Sequence, residues 1–290
     1  MMLVHTLICH RDLAMAAHNL LTLKRNSTNP VRFLLHDDGT LTEADADCLR
    51  VRLGEVDILW RREADQMAGK FLAAHPKCLA FRRSNVFGLK LFDITFNGEP
   101  QIAYCDADVV FFRPFEELFQ IPDQWSAVFM RDIYSGVACS PQDLWSNPKL
   151  LFPKRANAGL MCIRSGLLDL EFVEWLLGLE LLHFRTAASW IEQMCWGALA
   201  ARKTFGFYDP KQIVMVSNRT HFSQKMVAGH FATSRSRDRI SEFVACHASM
   251  PTNSLEPERV KFVPARILSP LSLVMERMEM KLPPSWRWSA

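Results

Sequence analysis

Two aspartates separated by one residue are the most distinctive chemical group in this sequence. Asp106 and Asp108 flank Ala107, and apolar segments lie on both sides of them, QIAYC before and VVFF after. Burying two carboxylates in such a segment is costly unless a cation compensates their charge. Because residues i and i+2 of a strand point to the same side, both carboxylates can converge on one Mg²⁺ or Mn²⁺ ion. A solvated polar turn is the alternative, and the apolar flanks favour the metal site.

The segments around these aspartates alternate between predicted strands and helices. Short apolar runs predict strands, and apolar residues at helical spacing predict helices, one of them over 79–95. The predicted strands span 3–9, 31–39, 56–60, 101–112, 125–130, 158–164, 225–232 and 241–248. This alternation predicts an α/β fold around a mainly parallel sheet, in which ligands bind beyond the carboxyl ends of the strands.

Composition sets limits on the class of protein. The chain has 290 residues, of which 49% are hydrophobic and 22% charged, which excludes a disordered chain, a collagen and a coiled coil. The net charge of +3 is too small to indicate nucleic acid as the main partner. The charge is nevertheless divided, since residues 1–201 carry −4 and residues 202–290 carry +7. The basic C-terminal third therefore suggests contact with an anionic membrane surface, with packing on the main domain as the alternative.

The eight cysteines are spread along the chain, and none belongs to a CxxC pair. This spacing argues against structural zinc and favours buried, reduced thiols in a reducing compartment. The N-terminal apolar run is short and ends at Arg11 and Asp12, which is a poor signal peptide. We therefore expect a cytoplasmic protein, with the option of peripheral contact with the inner face of a membrane.

Several segments, taken in order, resemble the GT-A-type glycosyltransferases, which use nucleotide-diphosphate sugars. QIAYCDADVVFFRPFEELF is similar to the metal-binding segment of that family, and the first two strands are similar to its opening strands. RANAGLMCIRSG resembles the Asn-Ala-Gly strand of its retaining galactosyltransferase and glycogenin-like members, WIEQMCWGALA their Asp-Gln helix, and VAGHFATSRSR their late His segment. The resemblance implies a three-layer single domain around a mainly parallel mixed sheet over residues 1–263. A C-terminal tail with a short helix would follow over 264–290.

The resemblance also implies a set of metal and phosphate ligands. Asp106 and Asp108 would bind Mn²⁺ or Mg²⁺, and His230 would complete the protein ligands, with His247 as its rival. The nucleotide and its diphosphate would contact residues from four segments, namely His10 and Arg11, Lys90, Ala107, and Arg235 or Arg237 of the basic run that ends at Arg239. Planar guanidinium groups suit phosphate oxygens, but the sequence does not decide between Arg235 and Arg237.

The sugar and the reacting carbon would contact two further segments. The resemblance assigns sugar binding to Asn157, Ala158 and Gly159, and catalytic positions to Asp108, Glu192 and Gln193. Glu192 replaces the aspartate that is usual in the family. Gly88 stands where some relatives carry an arginine, for which Arg82 or Arg83 is a candidate substitute. Asp37 and Asp38, at the end of the second strand, are candidates either for ligand contact or for a turn beside Gly39.

These observations predict a metal-dependent transfer of a sugar from a nucleotide-diphosphate donor, with a UDP-sugar favoured, to an acceptor hydroxyl of unknown identity. The Asn-Ala-Gly and Glu-Gln matches favour retention over inversion. A sugar nucleotidyltransferase is the first alternative, but the loop after the first strand, CHRDLAMA, lacks the glycines that such enzymes usually carry. A relative that binds a nucleotide sugar without turning it over is the second alternative.

Overall fold

Strands and helices alternate along the chain, and the α/β class predicted from the sequence is confirmed. The computed structural model describes residues 1–181, 190–248 and 256–282. Within these ranges there are thirteen strands: β1 (Met2–Ile8), β2 (Val31–Asp37), β3 (Val56–Leu59), β4 (Gln101–Cys105), β5 (Val109–Phe111), β6 (Phe115–Glu116), β7 (Ala127–Arg131), β8 (Ala156–Arg164), β9 (Phe205–Tyr208), β10 (Ile213–Met215), β11 (Ala228–His230), β12 (Glu258–Arg259) and β13 (Phe262–Pro264).

The same ranges contain eleven α-helices: α1 (Leu13–Asn26), α2 (Glu43–Leu53), α3 (Arg61–Phe71), α4 (Pro76–Ser84), α5 (Val86–Phe92), α6 (Pro141–Ser146), α7 (Leu170–Leu177), α8 (Ile191–Ala201), α9 (Ser234–Arg237), α10 (Ile240–Ala248) and α11 (Pro270–Lys281). Six of them, α2, α5, α6, α7, α9 and α11, begin after a Ser, Thr, Asp or Asn whose side chain accepts a hydrogen bond from the first turn. Thr42, for example, accepts a hydrogen bond from the Asp45 backbone N–H and so caps α2.

The main sheet has eight strands in the order β13-β9-β7-β8-β4-β1-β2-β3. Four of its seven pairings are parallel, those of β1 with β2 and β4, of β2 with β3, and of β7 with β9. The other three pairings, β4–β8, β7–β8 and β13–β9, are antiparallel. The sheet is therefore mixed and mainly parallel, as predicted.

Two hydrophobic layers cover the two faces of this sheet. Side chains of a strand alternate between faces, and Ile102 and Tyr104 of β4 accordingly pack into one apolar cluster with α5, α7 and α8. Ala103 and Cys105 pack into the other, with α1 and α2. This arrangement of helices, sheet and helices is the three-layer architecture that the family resemblance implies.

The predicted strand 101–112 is two strands in two different sheets. β4 belongs to the main sheet, whereas β5 pairs with β11 in a smaller sheet of order β10-β11-β5. The turn 106–108 therefore connects the two sheets, and it lies at the carboxyl end of β4. Parallel α/β sheets place their ligands at this end of the strands.

The single helix predicted over 79–95 is wrong, because the chain forms α4 and α5 with a break at Asn85. Asn85 is extended, and its side chain caps α5 by accepting a hydrogen bond from the Phe87 N–H. The two helices then cross closely at Gly88, where an added Cβ would lie 2.5 Å from the Arg82 Cα. Arg82 is buried between Asp93 and Asp65, so it serves the fold and not a ligand.

The strand predicted over 241–248 is also wrong, because these residues form helix α10. Phe243 and His247 are one helical turn apart, and both rings pack against Phe112 and Phe222. Apolar residues four positions apart lie on one face of a helix. The anchoring of this face on the small sheet therefore outweighs the local preference for a strand.

The C-terminal residues pack on the main body. β13 pairs with β9, and Leu273 of α11 is fully buried in the core. Met275 and Met278 on the same helix are exposed. None of the helices in the described ranges is long and apolar enough to cross a membrane. The division at residue 263, the membrane contact and the cytoplasmic location stay predictions.

Candidate active site

The turn 106–108 is held by backbone contacts from three directions. The Asp106 N–H donates to the Gly159 carbonyl of β8 at 2.6 Å, and the Val109 N–H donates back to the Asp106 carbonyl at 3.2 Å. The Asn19 side chain of α1 donates to the Ala107 carbonyl at 2.9 Å. These bonds fix both carboxylates at the carboxyl edge of the main sheet, independently of any ligand.

His230 ends β11 and faces the two aspartates. Its register opposite Val109 places the Nε2 atom 3.0 Å from the Asp108 Oδ1 and 3.7 Å from the Asp106 Oδ2. One candidate ligand atom from each of the three residues lies within 4.8 Å of the other two. Gly159 makes room for the ring, since a Cβ there would lie 2.6 Å from the His230 Nδ1. The structure thus brings His230 to the aspartates, whereas His247 packs in the aromatic cluster on α10.

Opposite charges dominate the electrostatics of this cluster. Burial opposes the charged form of Asp108, but His230 and Arg237 outweigh it and lower the pKa of that carboxyl well below its ordinary value. Burial likewise opposes the imidazolium form of His230, but Asp108 and Asp106 outweigh it and raise the pKa of His230. Asp108 is therefore held in its ionised form by neighbouring cationic groups, and its carboxylate and that of Asp106 both face His230.

Lys90 of α5 is a buried cation between two acidic groups. Its Nζ lies 3.2 Å from the Asp106 Oδ1 and 3.7 Å from the Glu192 Oε2, and 4.5 Å from the centre of the Tyr104 ring. Burial opposes its charge, but Asp106 and Glu192 outweigh it and raise the pKa of Lys90. The Tyr104 hydroxyl donates a further hydrogen bond to Asp106 at 2.8 Å.

Glu192 and Gln193 begin helix α8 and reach the same region. Glu192 is 2% exposed and its Oε1 has no hydrogen-bond partner within the described residues. Burial raises the pKa of Glu192 to about 7, against the opposing effect of Lys90. Gln193 is held more firmly, because it accepts from the Ala158 N–H at 3.3 Å and donates to the Gly136 carbonyl at 3.2 Å.

Asn157 and Gly159 of β8 line the site beside Asp132, whereas Ala158 turns its side chain into the core. The Asn157 amide donates to the Asp132 Oδ2 and accepts from the Gly159 N–H, both at 2.8 Å. Burial raises the pKa of Asp132, partly offset by the Asn157 hydrogen bond. The sequence gives no sign of Asp132, because it follows β7 in an ordinary polar segment.

The basic run contributes one arginine to the site. Thr233 caps α9, whose Arg237 donates to the Asp108 Oδ2 at 2.8 Å and to the Phe231 carbonyl at 3.3 Å. Arg235 points to solvent, as expected for a residue about 200° around the helix from Arg237. Arg239 pairs with Glu242 and the Ser217 carbonyl. The geometry therefore distinguishes the two arginines that the sequence leaves equal.

The candidate residues at the ends of the first two strands differ in whether they reach the cavity. Arg11 lies at the cavity beside Asp38, and its guanidinium pairs with Asp12. The exposed His10 ring instead pairs with Asp45 at 2.8 Å. Asp37 accepts hydrogen bonds from the Gly39 and Leu41 N–H groups, so it serves the turn.

These groups open onto one cavity of about 680 Å³. Predicted residues in its wall are Arg11, Asp38, Lys90, Asp106, Ala107, Asp108, Asn157, Gly159, Glu192, Gln193, His230 and Arg237. Other wall residues have no local signal in the sequence, namely Tyr104, Asp132, Tyr134, Trp190 and Met280. His10, Ala158 and Arg235 are not among the described residues that form the wall.

No family model matches the sequence, and no curated protein matches it. Solved structures do match. The chain is similar to an active-site variant of LgtC, at 13% identity, with a TM-score of 0.51 and coverage of 87% of this chain and 98% of that one. The chain described here has the GT-A glycosyltransferase fold.

Two further solved structures are similar to it. Mouse xyloside xylosyltransferase 1 is 14% identical, with a TM-score of 0.53 and coverage of 80% of this chain and 98% of the mouse protein. The glycosyltransferase GlyE of Streptococcus pneumoniae is similar at 10% identity, TM-score 0.55, and coverage of 87% of this chain and 61% of GlyE.

Proposed function

We propose that this protein is a metal-dependent glycosyltransferase that moves a sugar from a nucleotide-diphosphate donor to an acceptor hydroxyl. The observation that carries the proposal is the convergence of Asp106, Asp108 and His230 in the wall of a cavity that also contains Arg237 and Lys90. The two carboxylates could hold a divalent metal ion, and the fixed cations beside them could bind phosphate groups. Together they suit a substrate with a diphosphate. The similarity to solved glycosyltransferases in fold supports the same class.

The donor set suits Mn²⁺ or Mg²⁺. Carboxylate oxygens are preferred by both ions, and an imidazole nitrogen is accepted more readily by Mn²⁺. The three groups lie close together at the edge of a large cavity, which leaves one side open for phosphate oxygens. When bound, the metal would supply Lewis-acid stabilisation of the diphosphate leaving group.

Arg237 and Lys90 are the cations that would bind the donor phosphates. Arg237 reaches Asp108 from a short helix, and its planar group can bind two phosphate oxygens at once. Fixed positive charges at this place stabilise the negative charge that develops as the sugar departs. Arg11 at the end of β1, with Ala107 of the metal turn, would contact the nucleoside, for which we favour uridine.

Asn157 and Gly159, with Glu192 and Gln193, would bind the sugar. The unpartnered Oε1 of Glu192 is available to accept a hydrogen bond from a sugar hydroxyl. The LgtC variant replaces an active-site glutamine with glutamate, and we assign Gln193 the corresponding position near the reacting carbon. We favour a retaining outcome on these grounds, with Asp132 as a further contact for sugar hydroxyls.

A thermal-shift screen tests the proposal directly. Nucleotide sugars are added to the full chain with and without Mn²⁺, and a ligand at 100 times its Kd should stabilise the fold by about 2.7 kcal/mol. We expect UDP-sugars to raise the melting temperature only when Mn²⁺ is present. The chain should then release UDP slowly from the bound UDP-sugar. A shift without turnover would favour the non-catalytic alternative. Formation of a nucleotide sugar from a nucleoside triphosphate and a sugar phosphate would favour the nucleotidyltransferase.

Matched arginine variants test the assignment of the diphosphate ligand. Arg237→Ala should weaken UDP binding in the presence of Mn²⁺ by about 10- to 100-fold, since hydrogen bonds to charged groups contribute about 1.5–3 kcal/mol. Arg235→Ala removes the same charge from the same helix but should change the affinity less than about twofold. Isothermal titration with UDP measures both constants. An equal loss in the two variants would show that only the general charge matters.

A further inference from the structure

Helix α11 brings a buried carboxylate to the back of the cavity wall. Glu276 is 4% exposed and accepts from the Ser135 N–H at 2.8 Å and from the Arg155 Nε at 2.9 Å. The Lys154 Nζ lies 3.9 Å from the same carboxylate. An apolar side chain would fill such a position at lower desolvation cost. The carboxylate therefore serves to fix the geometry of its partners.

The partner Arg155 has an unusual backbone. Its φ of 64° lies in the left-handed region, which is strained for any residue with a Cβ. The surrounding bonds hold it there, because its N–H donates to the Ser135 Oγ at 3.0 Å and its carbonyl accepts from the Asp132 N–H at 2.7 Å. Two residues later the chain reaches Asn157, the proposed sugar ligand. Strain that is maintained in this way is typical of functional sites.

Two more residues of α11 act on the same wall. Arg277 donates to the Val137 carbonyl at 3.0 Å, and its guanidinium lies 5.1 Å from the centre of the Trp190 ring. Met280 forms part of the cavity wall itself. The helix thus contacts the segment 132–137, the approach to β8 and the start of α8, all of which contribute residues to the cavity wall.

We infer that helix α11 completes the active site and that Glu276 is a positioning residue for the segment 132–137 and for Asn157. This inference rests on the proposed function and extends it to residues that touch neither the metal ligands nor the phosphate ligands. Glu276 acts on the sugar end of the donor through Ser135 and Arg155. The nucleotide end, which depends on Asp106, Asp108 and Arg237, is independent of it.

The test compares Glu276→Ala and Glu276→Gln with Met278→Ala, an exposed position on the same helix. Hydrogen exchange of the full chain should show the Ser135 amide exchanging about tenfold faster in Glu276→Ala, less so in Glu276→Gln, and unchanged in Met278→Ala. Glu276→Gln keeps the side-chain volume and one acceptor oxygen, so it reports on the contact if the alanine variant does not fold. Unchanged protection in both Glu276 variants would overturn the inference.

Binding provides the second readout. With Mn²⁺ present, Glu276→Ala should weaken the binding of UDP-galactose about tenfold while the Kd of UDP changes less than about twofold. Equal weakening of both ligands would overturn the positioning role. If the wild-type chain binds neither ligand, the proposed function fails, whereas the exchange experiment still decides whether Glu276 holds the wall. In the double variant with Arg155→Ala, the loss of amide protection should not exceed that of Glu276→Ala alone, since both changes break one network.

Discussion

Replacing Asp106 or Asp108 with asparagine should lower the Mn²⁺-dependent turnover of nucleotide sugars by about 10³-fold, equivalent to about 4 kcal/mol of transition-state stabilisation. Either change removes a charged oxygen from the three-residue cluster while keeping the side-chain shape. The two variants differ in their side effects, because Asp106 also faces Lys90 and Asp108 also binds Arg237. Release of UDP from UDP-sugars, measured over a series of Mn²⁺ concentrations, gives the turnover.

The matched control for this experiment is Asp47→Asn, a largely exposed aspartate on α2 that pairs only with Arg50 in the described structure. It should leave turnover unchanged. The free Mn²⁺ signal in electron paramagnetic resonance provides a reading that does not depend on activity. We expect the wild type and the control to bind the ion and both site variants to lose it. Turnover and Mn²⁺ binding at wild-type level in both site variants would remove the basis of the metal site.

Lys90→Met should destabilise the fold by about 3–5 kcal/mol at pH 8, the range for breaking a buried ion pair by removing one partner. The variant keeps the length and volume of the side chain but leaves Asp106 and the buried Glu192 without their shared cation. Urea denaturation followed by circular dichroism measures the loss. Because Lys90 also faces the proposed phosphate site, turnover should fall in the same variant even at temperatures where it remains folded.

The loss should depend on pH in a definite direction. The pKa of Glu192 is raised to about 7 in the folded chain from an ordinary value of 4.5, so its contribution to stability is complete below about pH 4.5 and is lost as the pH rises through 7. Without Lys90, which lowers this pKa, the ionised form becomes still less favourable in the folded state. The penalty of Lys90→Met should therefore be smaller at pH 5 than at pH 8.

Two comparisons separate this effect from a general loss of charge. Lys70→Met, at an exposed position of α3, should change the free energy of unfolding by less than about 0.5 kcal/mol. The double variant Lys90→Met with Glu192→Gln should recover part of the stability, since it removes one of the two uncompensated carboxylates. If the double variant is less stable than Lys90→Met alone, the two side chains do not form the charge pair that the distance suggests.

The parts of the molecule that could be predicted from the sequence have strong local patterns. Six of the eight strands of the main sheet are apolar runs that were predicted, whereas β9 and β13 were not. The interruption of one run by Asp106 and Asp108 marks the end of β4. His230 was a candidate through the family resemblance and its place before a basic segment, with His247 left open as its rival. These signals depend on residues near each other in the chain, and they gave the α/β class and the centre of the site.

The remainder depends on contacts between distant segments. Asp132 and Glu276 are ordinary acids in sequence, and only packing shows that one lines the cavity and the other supports its wall. The choice of Arg237 over Arg235 depends on the phase of a four-residue helix. The strand predicted over 241–248 was wrong for the same reason, because aromatic contacts with the small sheet select the helix.

The position of the turn 106–108 has a mechanical consequence. Two of the three clustered side chains belong to the connection between the main sheet and the small sheet, and the third, His230, belongs to the small sheet itself. A ligand that bridges all three would act as a cross-link between two separately hydrogen-bonded units. Its binding energy would then oppose any separation of the sheets, so that occupancy of the site and rigidity of the cavity floor would rise together.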